Sequence, residues 1–156
     1  MSVIEYLPTL LLFILLIAIS YVDIQQMRIP DELNITLFIV GLASVLFLGR
    51  MTFQWAIFSS IAGALLPLLV RWSYLRIRDQ IGLGLGDVKF LAASAVWVGL
   101  ECMPKLILIS SVAALIWIGG IYSFGYSIKF SDRIPFGPFL ALGLWIVWIG
   151  VPILGI

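Results

Sequence analysis

The 156-residue sequence contains no histidine and a single cysteine, Cys102. Without histidine there is no imidazole general base and no histidine metal site. A lone cysteine cannot close an internal disulfide or build a zinc cluster, and as a nucleophile it would lack its usual base. Charge is scarce as well. Asp, Glu, Lys and Arg supply 11% of the chain, against roughly a quarter in an ordinary soluble domain. The net charge is +1, which offers no electrostatic footprint for nucleic acid. Any catalysis must therefore rest on carboxylates, Lys, Tyr, Ser or Thr.

What is abundant is apolar surface. Hydrophobic residues make up 63% of the sequence, and the mean hydropathy is +1.19. So little charge cannot cover a soluble domain of this length, and disorder needs the opposite composition. The chain reads as an all-α integral membrane protein, because each span takes about 20 apolar residues. Apolar runs at residues 4–22, 33–49, 53–74, 88–103, 106–126 and 136–156 give a bundle of about six transmembrane helices. The first run is too long for a signal h-region and no small-residue cleavage site follows it, so it reads as a retained helix. The fourth is short and interrupted by Glu101 and Pro104, and a partly re-entrant course stays open for it. The runs are continuous rather than alternating, which excludes β-barrel strands. No repeat or linker divides the chain, so residues 1–156 read as one membrane-embedded domain.

Positive charge sets the expected orientation. Seven of the nine Lys and Arg residues fall in the loops after spans one, three and five: Arg28; Arg71, Arg76, Arg78 and Lys89; Lys129 and Arg133. Arg50 and Lys105 alone lie on the other side. This predicts cytoplasmic loops at the first set and both termini outside.

The carboxylates are unevenly spread. Glu5, Glu101 and Asp132 flank spans. Asp23, Asp31 and Glu32 follow span one, while Asp79 and Asp87 precede span four. On the topology above both groups face the cytoplasm. An ionisable residue at the edge of hydrocarbon is costly and is a functional candidate. For Asp87, at the start of a helix, a cap or helix-dipole role stands beside the functional reading. For Asp31, after Pro30, the cap role is preferred. Asp23 ends its helix, where the dipole disfavours an anion; capping cannot explain it, although pairing with Arg28 could. The stretch Gly82-Leu83-Gly84-Leu85-Gly86-Asp87 allows close backbone or substrate approach to a carboxylate. A phosphate loop fits it less well, because the Lys-Ser/Thr ending is missing and Asp87 would repel an anion.

Gly84-Leu85-Gly86-Asp87 matches the G-x-G-D signature of intramembrane aspartyl proteases. Extended through Val88-Lys89-Phe90-Leu91-Ala92, it resembles the type IV prepilin peptidase family. The segment from Asp23 through Arg28-Ile29-Pro30-Asp31-Glu32-Leu33 resembles that family's first catalytic stretch. Ile134-Pro135-Phe136-Gly137-Pro138-Phe139-Leu140-Ala141 resembles the stretch that opens its last span. Larger bacterial members carry an N-terminal cytoplasmic region with paired CxxC zinc ligands and also methylate the new N-terminus. With one cysteine, this chain resembles the short, peptidase-only form.

The resemblance implies an aspartic endopeptidase that removes the cytoplasmic leader of prepilin or pseudopilin precursors, multi-pass in the inner membrane, with its active site at the cytoplasmic face. It implies Asp23 and Asp87 as the catalytic pair, with Gly84, Gly86 and Lys89 supporting substrate or site, and neither metal nor cofactor. Lys89 would hold an anionic substrate group or simply snorkel, the second being preferred. The small residues Ser59, Ser60, Gly63 and Ala64 in span three would admit a substrate helix or pack against another span, the second again being preferred. A rival reading is an ion- or proton-coupled transporter or channel subunit using intramembrane carboxylates. It predicts carboxylates in mid-span along a pore, rather than clustered at one face.

Overall fold

A computed structural model describes residues 3–78, 82–123 and 134–154. Asp79, Lys129, Asp132 and Arg133 lie outside these described residues. Six α-helices appear among them: α1 (Val3–Gln26), α2 (Asp31–Leu48), α3 (Phe53–Arg78), α4 (Leu85–Val98), α5 (Met103–Ser123) and α6 (Gly137–Leu154). A 3-10 turn at Leu100–Cys102 joins α4 to α5. No strand occurs among the described residues. Four helical segments are long and apolar enough to cross a membrane: Tyr6–Gln26, Asp31–Leu48, Phe53–Arg78 and Leu100–Ser123. The protein is a multi-pass membrane protein of helical architecture.

The helix ends follow local chemistry. Gly49 at the end of α2 adopts φ 61° and donates its N–H to the Val45 carbonyl, a left-handed cap that glycine accepts without steric cost. Met27 plays the same part at φ 53° after α1, donating to the Asp23 carbonyl at 2.8 Å. It is the only non-glycine with positive φ among the described residues. Helix α1 therefore continues one turn past the apolar run, and Asp23 sits within the helix rather than at its end. Pro30 then opens α2 in an extended conformation.

Helix α4 is only 14 residues long, yet it is the centre of the bundle. Nine of its residues are buried, on all sides of the helix, from Val88 to Val98. A helix apolar all round belongs in the interior. Helices α2, α3 and α6 pack around it, α1 packs on α2 and α6, and α5 on α6. The outward faces are apolar too: Leu65, Leu66 and Leu69 on α3 and Leu108, Leu115 and Ile116 on α5 are more than half exposed, as lipid requires.

Lipid is as apolar as leucine, so close packing rather than water exclusion holds such helices together. Small residues supply it. A methyl group built on Gly63 of α3 would stand 2.9 Å from Cβ of Ala95 on α4, and one on Gly143 of α6 would stand 2.8 Å from the Leu106 carbonyl of α5. Ser59 and Ser60 are buried in α3 together with Gly63, which favours the packing role for this small-residue stripe. Gly41 of α2 lies against the indole of Trp97, whose Nε1–H donates to the Leu37 carbonyl at 3.0 Å.

Candidate active site

At one end of the bundle lies a cavity of about 680 Å³. Its wall comes from three separated stretches: Asp23 in the last turns of α1 with Met27, Arg28 and Ile29 just beyond it; residues 82–87 leading into α4; and Ile134, Pro135 and Phe136 before α6. These are the three stretches on which the sequence resemblance rests, brought together by the packing of α2 and α6 between α1 and α4.

Asp23 is 4% exposed. Its Oδ2 accepts a hydrogen bond from the Gly137 N–H, the first amide of α6, at 2.7 Å. Arg28 turns elsewhere: its Nε donates to Gln26 Oε1 at 3.1 Å. Asp87 is the third residue of α4, and its carboxylate lies beside Gly84, the residue that caps the helix. An acid in the first turn of a helix suits the helix dipole, so the dipole role weighed for Asp87 coexists with its place in the cavity. The charge of Asp23 acts on Asp87, and the effect is repulsive. Two carboxylates that face one cavity and come close there favour sharing one proton.

The glycines before Asp87 are close-contact positions. A methyl on Gly84 would lie 3.0 Å from Asp87 Oδ2, and one on Gly86 would lie 3.3 Å from both the backbone nitrogen and the carbonyl oxygen of Ile29. The Gly82 Cα faces the Tyr74 ring, 2.7 Å from where a methyl would stand. Two polar groups also hold this stretch, and sequence reasoning does not single them out. Arg71 of α3 donates from Nη1 to the Leu83 carbonyl. Asn34 of α2 is buried and donates from Nδ2 to the Gly86 carbonyl at 3.3 Å. Asn34 is the only asparagine in the chain, and a polar side chain opening an apolar run is the available signal. Gly137 enters the sequence reading only as part of its motif, and Arg71 only as a charge in the topology count; neither pairing is visible in sequence.

Two local expectations change. Asp31 does not cap α2. Pro30 occupies the cap position without a side-chain bond, and Asp31 Oδ1 takes a 2.6 Å ion pair from Lys89 Nζ. Lys89 thus points back to α2 rather than snorkelling alone. Both partners are about half exposed, and such a pair contributes about 0–1 kcal/mol. Among the described residues no three His, Cys, Asp or Glu side chains group as a metal-ligand set. Cys102 is buried in the 3-10 turn beyond the far end of α4.

Residues 10–119 match the Type IV leader peptidase family. Curated relatives named prepilin leader peptidase/N-methyltransferase include one from Burkholderia pseudomallei (strain K96243), 35% identical over 128 residues, covering 82% of this chain and 41% of the relative. One from Aeromonas hydrophila is 36% identical over 141 residues, 90% of this chain and 48% of the relative. One from Escherichia coli (strain K12) is 32% identical over 140 residues, 85% of this chain and 58% of the relative. The chain spans about half the length of the curated relatives it matches. No solved structure matches.

Proposed function

Because the chain belongs to the type IV leader peptidase family, we propose that it is an aspartic endopeptidase in which Asp23 and Asp87 hydrolyse the leader from prepilin-like precursors. The observation that carries this reading is the pair of aspartates from two distant helices lining one cavity. The transporter reading has no support from the family match.

In the proposed reaction the pair holds one proton. The ionised carboxylate takes a proton from a water molecule, and the resulting hydroxide attacks the scissile carbonyl carbon. The protonated partner donates to the carbonyl oxygen. Collapse of the tetrahedral intermediate breaks the C–N bond: the proton first taken from water goes to the departing amine, and one hydroxyl on the former carbonyl carbon returns its proton to the pair, which again holds one. The precursor's apolar helix would lie in the bilayer beside the bundle, with its basic leader at the cavity end. The charge tally supports placing that end in the cytoplasm, and the family resemblance supports placing the chain in the inner membrane. Lys89 and the glycines at 84 and 86 would support the site. The direct test is co-expression with a prepilin. Leader removal is expected as a size shift, and an unchanged precursor would count against the proposal.

The orientation has its own test. Engineered cysteines beside Arg28 and Arg76 are expected to resist impermeant thiol reagents in intact cells and to react once membranes are opened. Labelling of the Arg76 position from outside would overturn the assignment of the cavity to the cytoplasmic face.

The chemistry is expected to be indifferent to metal and thiol. Cleavage should survive chelators and the Cys102→Ser change, measured as initial rate in isolated membranes. Activity lost to a chelator and restored by zinc would rule out a mechanism run by the carboxylates alone.

A further inference from the structure

We propose that Gly137 is a positioning residue for this hydrolysis: its backbone amide and its lack of a side chain together set where the Asp23 carboxyl group stands. The inference rests on the aspartate reading above and adds α6 to the machinery of the site.

Two independent features meet at this residue. The first is a donor. The leading amides of a helix have no partner within it, and the Gly137 N–H is directed at Asp23 Oδ2 at 2.7 Å. With one oxygen pinned, the carboxyl group loses most of its rotational freedom, and the direction of Oδ1 is set. The second is space. A methyl group on Gly137 would lie 2.7 Å from Oδ2, 2.9 Å from Cγ and 3.0 Å from Cβ of Asp23. Atoms do not tolerate such distances, so any side chain at 137 drives the carboxyl group away. Asp23 is almost fully buried, and its Cβ is itself part of the clash, so rotation of the carboxyl group alone cannot relieve it.

The tie matters because the two aspartates ride on different helices. Helix α6 packs on both α1 and α4. The Gly137–Asp23 bond therefore joins α1 to an element that also bears on the helix carrying Asp87. A shift of about 1 Å in a reacting group costs on the order of a hundredfold in rate.

The experiment compares single variants of the full chain, purified in detergent. The probe is a synthetic precursor with a basic leader, a glycine at the cut and an apolar helix. Gly137→Ala is expected to lower kcat per folded molecule about 10–100-fold while KM moves far less, and to lower the melting temperature modestly. Gly143→Ala, on the same helix, meets Ser110 and the Leu106 carbonyl instead; it should lower the melting temperature and leave kcat per folded molecule. Gly119→Ala, which meets nothing within 4 Å, should change neither. A Gly137→Ala enzyme with kcat near the parent's, or a loss matched per folded molecule by Gly143→Ala, overturns the proposal. Should the alanine variant not fold, hydrogen exchange in the parent reads the tie directly: slow exchange of the Gly137 amide supports it, and exchange at the rate of an unpaired amide overturns the proposal. Asp23→Asn separates the two levels: if it remains active the aspartate reading fails, whereas an inactive Asp23→Asn beside an active Gly137→Ala defeats the positioning role alone.

Discussion

Asparagine at position 23 or 87 is expected to lower leader cleavage by about 10²–10⁴-fold, the usual cost of a lost general acid or base. The substitution nearly preserves shape, so folding should survive. In Asp23→Asn the new amide carbonyl could still accept the Gly137 N–H, which leaves the loss attributable to proton transfer. The two singles should be similar, because each leaves one carboxyl group that cannot be both base and acid. The double variant should be little worse than either, since groups that act as a unit are not additive. Asp31→Asn is the control. It removes a half-exposed ion pair with Lys89 and should leave cleavage within about tenfold of the parent. The measurement is leader removal in membranes at matched protein levels. Full activity in either Asp23→Asn or Asp87→Asn refutes the pair, and loss only with Asp31→Asn would move the role to a different carboxylate.

The largest stability effect is expected at the other end of α6. Trp148 is buried to 1% exposure and meets three other parts of the chain. Its ring stands edge-on to Trp97 of α4, with centroids 5.2 Å apart at 87°. Its Nε1–H donates to Thr9 Oγ1 of α1 at 3.0 Å. The Arg50 guanidinium, just past α2, lies 4.3 Å from the ring centroid, a cation–π contact. Trp148→Ala removes all three and opens a void, at a cost of about 3–5 kcal/mol. A markedly lower melting temperature in detergent and a poor folded yield are expected, with Trp148→Phe between the alanine variant and the parent. Trp148 lies eleven residues along α6 from Gly137, about 16 Å, so kcat per folded molecule should hold. A Trp148→Ala protein that melts with the parent would show that this junction is not a keystone of the bundle.

Much of this architecture is legible in composition. Lipid leaves a chain no way to satisfy its backbone except by helices or closed barrels, and long apolar runs without alternation leave only helices. The starts and stops are legible where glycine or proline imposes them, as at Gly49 and Pro30. Hydrophobicity stops at Val22 and so places the end of α1 too early, whereas the backbone continues until Met27 turns left-handed. The role of α4 is hidden for a related reason. Its shortness leaves a partly re-entrant course open, but a helix surrounded by other helices needs no length to reach through lipid, and its partners are not written in its own sequence.

The same division runs through the site. Sequence alone determined the class of protein, the absence of histidine chemistry, the concentration of acids in two stretches, and the motifs that singled out Asp23 and Asp87. Those are properties of residue type and spacing, and they survive without coordinates. Only the tertiary structure decided that Asp31 pairs with Lys89 instead of capping α2, that Arg71 and Asn34 hold the glycine-rich stretch, and that the first amide of α6 reaches Asp23 across 114 residues of chain. Each of these is a contact between separate segments, 12 to 114 residues apart, made by polar atoms whose partners are selected by helix packing. Packing in lipid is settled by where small residues let backbones meet, and that depends on all the helices at once rather than on any one of them.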